Sequence, residues 1–118
     1  MKISTLRELL GAEVLCCEES LGKEVYSACG CDLMSDVLAY VKDQAVLLTG
    51  LVNPQVIRTA VMMDMVCVVF VRSKMPTEEM LDLAKESGIV VMRTDNTLYN
   101  SCGLLYKGGL VSGVREER

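Results

Sequence analysis

The sequence predicts an α/β fold, a three-layer α/β/α sandwich around a mainly parallel sheet, and three observations carry that prediction. From residue 45 onward, strand-like apolar runs alternate with helical segments. The runs are near-continuously apolar rather than alternating, as expected of strands covered on both faces. Their starts at Ala45, Val66 and Ile89 fall 21 and 23 residues apart, room for a strand, a turn and one crossover helix. Short strands alternating with helices imply parallel pairing, because only a crossover brings the chain back to run the same way.

The first 44 residues are less regular. Ser4 is a candidate cap for a short helix with Leu6, Leu9 and Leu10 inward and Gly11 at its end. Strand-like pieces follow at 13–17 and 24–29. "CDLMSDVLAYVKD" then supplies Ser35 as a cap, with Val37, Leu38 and Val41 on one side. These segments are expected to complete the sheet and one helix layer. The repeating part begins with "AVLLT" (45–49). Asn53 can cap the helix that follows, with Pro54 at its first position, where a missing N–H costs nothing; it should run to about Met63. "VCVVFV" (66–71) precedes a helix from Thr77 to about Ser87, with Glu78 and Glu79 suited to the positive end of the helix dipole and Gly88 suited to the left-handed stop. "IVVMR" (89–93) precedes a helix from about Thr97 to Lys107, ended by Gly108-Gly109.

At 118 residues the chain has the length of one domain and can bury roughly two-thirds of its unfolded surface. Residues 1–112 are expected to form that domain, with 113–118 a frayed, charged tail. The longest apolar run, Met65 to Val71, is too short to cross a bilayer, and Arg7 and Glu8 stand where a secretory signal would need apolar residues. The expectation is a soluble cytoplasmic protein without membrane contact. A net charge of −4 and a pI near 4.8 argue against a nucleic-acid partner, which selects a basic surface.

The segments "YSACGCDLMSDVLAYVKDQAVLLTG", "NPQVIRTAVMMD" and "LAKESGIVVMRTDNTLYNSCGLLYKGGL" together resemble the stand-alone DRTGG-domain family over nearly the whole chain, in order and spacing more than in any one motif. Related domains form the N-terminal part of HPr kinase/phosphorylase and occur in some phosphotransacetylases and beside CBS domains in some pyrophosphatases. There they are regarded as regulatory or dimer-forming rather than catalytic. The resemblance implies the same three-layer fold, like that of the HPr kinase N-terminal domain. It also implies a regulatory role, self-association and, since short members are often encoded near iron-only hydrogenase genes, a hydrogenase-associated partner protein. One departure stands out. The eponymous motif would place an Asp-Arg pair just after the glycine that ends the strand, whereas Leu51-Val52-Asn53 follow Gly50 here, so no role of that pair can be carried over.

Several chemistries lack their residues. There is no Gly-x-x-x-x-Gly-Lys-Ser/Thr loop and no Gly-x-Gly-x-x-Gly fingerprint, so a kinase or dinucleotide enzyme has no phosphate cradle. There is no histidine, the commonest general base and metal ligand. No catalytic residue and no cofactor is therefore assigned. Six cysteines without a secretory signal read as reduced thiols. Cys16-Cys17 and Cys29-Gly30-Cys31 could supply thiolates for zinc or an iron–sulfur cluster. Neighbours in a strand point to opposite faces, however, and the Cys-x-x-Cys spacing is missing, so packing is preferred to a metal site. Cys102 reads as core.

In parallel α/β sheets ligands bind beyond the carboxyl ends of the strands. Those ends hold Thr49 and Gly50, then Arg72, Ser73 and Lys74, then Arg93, Thr94, Asp95 and Asn96, with Asn53 and two further helix starts on the same edge. Cations, hydroxyls and free N–H groups together would suit a small anionic metabolite or a nucleotide. Ordinary caps and turns select the same residue types and account for most of them, so the corner reading stands ahead of the cradle reading. The helix "PQVIRTAVMMD" carries Val56, Ile57, Ala60, Met62 and Met63 over an arc wider than one buried face needs. It is either covered on two sides or meets a second copy of the chain. The expectation is a non-catalytic regulatory or interaction domain, homodimeric and acting on a partner protein. The alternative is an anion sensor at the strand ends.

Overall fold

A computed structural model describes residues 1–40 and 44–112; the expected tail at 113–118 and Val41 lie outside the described residues. The chain runs α1 (Ile3–Leu10), β1 (Glu13–Cys16), β2 (Ser27–Gly30), α2 (Met34–Tyr40), β3 (Ala45–Thr49), α3 (Pro54–Met62), β4 (Cys67–Phe70), α4 (Glu78–Ser87), β5 (Val90–Arg93), α5 (Leu98–Lys107) and β6 (Val111–Ser112). One six-stranded sheet has the order β1-β5-β4-β3-β2-β6. The three apolar runs lie side by side and parallel, with Val46 opposite Cys67 and Cys67 opposite Val90. β2 pairs parallel with β3, and β6 parallel with β2. Among the described residues only β1, at the far edge, is an antiparallel strand of the sheet, against β5.

Period-two alternation sorts the strand side chains into two cores. Ala45, Leu47, Val68, Phe70 and Val91 face a layer made by α2, α3 and α4, where Val37, Val56, Ile57, Ala60, Met80 and Ala84 are buried. Val46, Leu48, Cys67, Val69, Val90 and Met92 face the other layer, where α1 and α5 supply Ile3, Leu6, Leu10 and Leu105. All five residues of β3 are buried, which explains why its sequence does not alternate. This is the three-layer, mainly parallel sandwich expected. No helix among the described residues is long and apolar enough to cross a membrane.

Caps set most boundaries. Asn53 accepts from the Gln55 N–H, Thr77 from Met80 and Thr97 from Asn100. Gly11 and Gly88 end α1 and α4 with φ of 57° and 71°, the left-handed region that side chains disfavour. Two expected caps are corrected. Lys2, not Ser4, precedes α1, with the Thr5 and Leu6 N–H groups donating to the Lys2 carbonyl. α2 begins at Met34, one residue before Ser35, so Ser35 lies inside the first turn. Leu38 is exposed rather than inward, because it sits a hundred-degree step round the helix from buried Val37. The strand expected at 24–29 is displaced to Ser27–Gly30, and β6 was not foreseen.

Candidate functional site

Parallel pairing brings the carboxyl ends of β2, β3, β4 and β5 to one rim. At the β3 end the buried Thr49 hydroxyl donates to Asp32 Oδ1 at 2.8 Å, and the Gly50 N–H donates to the same oxygen at 2.8 Å. Thr49 Oγ1 in turn accepts from the Leu51 N–H at 3.2 Å. Asp32 comes from just beyond β2. The first corner of the rim thus holds an anion supplied by the chain itself.

The β4 end is a tight reversal. Arg72 and Ser73 have φ of 55° and 58°, and the Lys74 N–H closes the turn onto the Val71 carbonyl at 3.2 Å. Two consecutive left-handed residues define a type I′ turn, which Asn-Gly normally fills. Forcing it on Arg-Ser costs on the order of 1–2 kcal/mol per residue. What offsets that cost is visible. The Arg72 N–H donates to the Asn96 carbonyl at 2.8 Å, the Ser73 N–H to the Thr94 carbonyl at 2.9 Å, and the Ser73 hydroxyl meets Asp95 Oδ1. The Arg72 guanidinium lies over Gly50, where a Cβ would stand 3.2 Å from its Nη2. Gly50 has no unusual backbone angle, and a Cβ there would press only on the end of an exposed arginine that can shift aside.

At the β5 end, Thr94 Oγ1 donates to the Leu10 carbonyl at 2.8 Å, and Asn96 Nδ2 reaches the same carbonyl at 2.9 Å. That carbonyl is among the last of α1 and has no partner within its helix. The buried Thr94 hydroxyl thus ties the end of β5 to the end of α1.

The sequence-derived rim residues fall into two groups and two outliers. Thr49, Gly50 and Arg72 come together, as do Ser73, Thr94 and Asp95. Asn53 uses its side chain on its own helix. Lys74 is exposed and, among the described residues, its side chain has no hydrogen bond or ion pair. Asp32 was missed, while Asn96, expected on the rim, uses its side chain on the end of α1. Asp32 follows the end of β2 just as Gly50 follows β3, so recognising β2 as a parallel neighbour would have found it.

The cysteines are unpaired, and Cys16, Cys29 and Cys67 are buried. Burial, helped by neighbouring Cys17 and Cys31, pushes the Cys16 and Cys29 thiols up to about 11; complete burial pushes Cys67 higher still. These groups stay protonated near neutral pH, and a protonated thiol is a poor nucleophile and a poor metal ligand. Among the described residues, no three His, Cys, Asp or Glu side chains are grouped to hold a metal ion.

The apolar residues expected to meet a second copy need correction. Val56, Ile57 and Ala60 are 0% exposed inside the subunit, held between the sheet and the flanking helices α2 and α4. Met63 is half-buried, which leaves Met62, 69% exposed, beside partly exposed Val61. A small hollow of about 300 Å³ lies there between α3 and α4. The more exposed apolar face is on the opposite layer, where Tyr99 and Tyr106 of α5 are 86% and 78% exposed.

A family model for the DRTGG domain matches residues 5–106. The chain belongs to the DRTGG-domain family. Curated protein sequences gave no match. Among solved structures, this DRTGG domain is similar to the CBS and DRTGG domains of the regulatory region of Clostridium perfringens pyrophosphatase, a crystal structure in complex with an activator, diadenosine tetraphosphate. The TM-score is 0.73 at 16% identity, over 98% of this chain and 50% of that one. The likeness is one of fold, and this domain spans about half of that regulatory region. Although the Asp-Arg pair is absent after Gly50, an aspartate and an arginine, Asp32 and Arg72, do reach Gly50 from neighbouring strand ends, without an ion pair between them.

Proposed function

We propose that residues 1–112 form one non-catalytic regulatory domain, cytoplasmic, which self-associates as a homodimer and acts on a partner protein, a hydrogenase-associated one by family likeness. One observation carries this reading. The polar groups of the rim are used on one another, while large apolar side chains stand unused on outward helix faces. The Thr49, Ser73 and Thr94 hydroxyls and the Gly50 N–H all have partners within the chain. A site built for chemistry would aim such groups at a vacant position. Exposed aromatic residues on a helix face are what an interface uses. Sedimentation velocity at micromolar concentration tests this: a dimer is expected, and a strict monomer overturns the self-association.

A second reading, a sensor for an anionic metabolite or nucleotide, draws on the Arg72 guanidinium over Gly50 and on Lys74 nearby in the chain, both exposed. The solved relative's regulatory region binds a dinucleotide activator. A thermal-shift panel of nucleotides and phosphates tests it. At a hundredfold excess over Kd a ligand adds about 2.7 kcal/mol, and Arg72→Ala should abolish that shift. A flat panel removes this reading.

A further inference from the structure

We propose, independently of both readings above, that Cys16 and Cys17 are a reversible oxidation site, at which a peroxide closes a disulfide between the two neighbouring residues. In an extended strand adjacent side chains point to opposite faces, which would keep these thiols apart. Two local features undo that alternation. The β1–β5 register shifts between Val14 and Cys16, and Cys17 takes φ 60° and ψ 39°, a left-handed conformation that side chains disfavour. As a result both thiols meet the junction of α4 and β5. Cys16 Sγ donates to the Ile89 carbonyl at 3.4 Å, and Cys17 Sγ stands 4.0 Å from the Ala84 carbonyl oxygen. The Ile89 N–H donates to that same Ala84 carbonyl at 3.0 Å, so the two sulfurs approach neighbouring groups. Burial, then the charge of Cys17 and a side-chain hydrogen bond with it, hold Cys16 protonated. A bond of that kind requires the sulfurs to lie side by side.

The two thiols differ in the way a stepwise oxidation needs. Cys17 is partly exposed and Cys16 is buried, so a peroxide reaches Cys17 first. The Cys17 thiolate attacks one peroxide oxygen, the O–O bond breaks and hydroxide leaves, which makes Cys17 a sulfenic acid. The Cys16 sulfur then attacks the Cys17 sulfur, the S–O bond breaks, and the Cys16 proton leaves with the hydroxide as water. Two thiols and one peroxide thus give one disulfide and two waters. A protonated thiol is a slow nucleophile in solution, but Cys16 is held next to its target, and such positioning reaches effective molarities of about 10⁵ M or more. Strand order removes the other cysteines from contention. Strands lie about 4.8 Å apart; Cys67 on β4 is two strands from β1 and on the opposite face, while Cys29, Cys31 and Cys102 gather at β2, four strands away. Neighbouring Cα atoms are about 3.8 Å apart, closer than the roughly 4.4–6.8 Å of most disulfides. The bond is therefore strained, which puts it with the labile, readily reduced disulfides rather than the structural ones. A disulfide has no S–H, so oxidation also takes from the Ile89 carbonyl the donor that joins β1 to the α4–β5 junction.

The test uses the full-length protein, reduced and then titrated with hydrogen peroxide until Cys102 is modified, with remaining thiols alkylated before peptide mass spectrometry. The peptide carrying Cys16 and Cys17 should become two hydrogens lighter and escape alkylation, at least about tenfold faster than partly exposed Cys102 reacts, and dithiothreitol should restore both thiols. Cys17→Ser, a change at a partly exposed position, should abolish the loss of hydrogen. Cys16→Ala should stop the reaction at the sulfenic acid, which dimedone labels on Cys17. Circular dichroism verifies folding of the variants, and the wild-type result stands without them. A wild-type peptide that gains oxygen without losing two hydrogens, that keeps both thiols free after Cys102 has reacted, or that is joined to a different cysteine of the same or a second chain overturns the proposal.

Discussion

Replacing Asp32 probes how the rim is held. Its Oδ1 accepts from the Thr49 hydroxyl and the Gly50 N–H, each at 2.8 Å. Hydrogen bonds to a charged group contribute about 1.5–3 kcal/mol each when measured by deletion. Asp32 is exposed, so solvent screening puts both bonds at or below the lower end of that range. Against this, Asp32→Ala leaves the buried Thr49 hydroxyl without its acceptor. The expected loss is about 2–3 kcal/mol. With an unfolding entropy of about 2.1 cal/mol/K per residue over 118 residues, each kcal/mol corresponds to about 4 °C, so Tm should fall by about 8–12 °C. Asp32→Asn keeps an acceptor oxygen and loses only the charge, and should cost about half as much. Thr49→Val alone should cost about 1 kcal/mol. Combined with Asp32→Ala it should add almost nothing, since the hydroxyl has by then lost its acceptor. Urea denaturation of the four proteins, followed by circular dichroism, measures the cycle. An Asp32→Ala protein melting within about 2 °C of wild type, or two losses that simply add, would refute the reasoning.

Further outcomes follow from other local features. The buried Thr59 hydroxyl of α3 has no hydrogen-bond partner among the described residues, so Thr59→Val should stabilise by about 1 kcal/mol in the same urea assay, the opposite sign to Thr49→Val. A Cβ on Gly30 would fall 2.5 Å from Cys102 Sγ; Gly30→Ala should cost about 1–3 kcal/mol, and adding Cys102→Ala should recover part of that loss. The Cys16 and Cys29 thiols are raised by burial from 9.0 to about 11, so the fold favours their neutral form. That contribution is complete below about pH 9 and is lost as pH climbs toward about 11, and Tm measured across that window should fall less in Cys29→Ala than in wild type.

What could be read from the sequence was what is decided locally. β3 and the start of α3 agree with the structure because burial, the Asn53 cap and Pro54 all select the same boundary. The antiparallel direction of β1 is set by its partner β5 rather than by its own residues. β6 was illegible because its two residues are exposed and carry no period. β2 was misplaced because Val25 is buried beside α1 without being in the sheet, so its apolar character extended the apparent strand backwards. The rim hydroxyls were legible as turn chemistry, and turn chemistry is what they perform. Asp32 was not, since its role exists only once β2 lies next to β3. The wide apolar arc of α3 left burial and an interface equally open, because its use within the subunit depends on α2 and α4 flanking it. The exposed tyrosines of α5 escaped notice because Ser101, Cys102 and Gly103 separate them in sequence while the helix brings Tyr99 and Tyr106 to one side.

The Gly50 corner shows why the interaction reading outranks the sensor. A backbone N–H and a hydroxyl converge there on a carboxylate oxygen, the arrangement by which a helix start or a turn holds a phosphate. The anion is already present, however, and it is covalently part of the chain, so it binds without the entropic cost of capturing a free ligand. An external phosphate at the same donors would have to displace Asp32 or sit beside it. In the second case like-charge repulsion opposes the attraction of the Arg72 guanidinium. A ligand that takes these two donors must therefore move the segment carrying Asp32, which leads directly into α2. The exposed tyrosines of α5 demand no such rearrangement: they are already outside, and association would remove their apolar surface from water while every rim hydrogen bond stays in place.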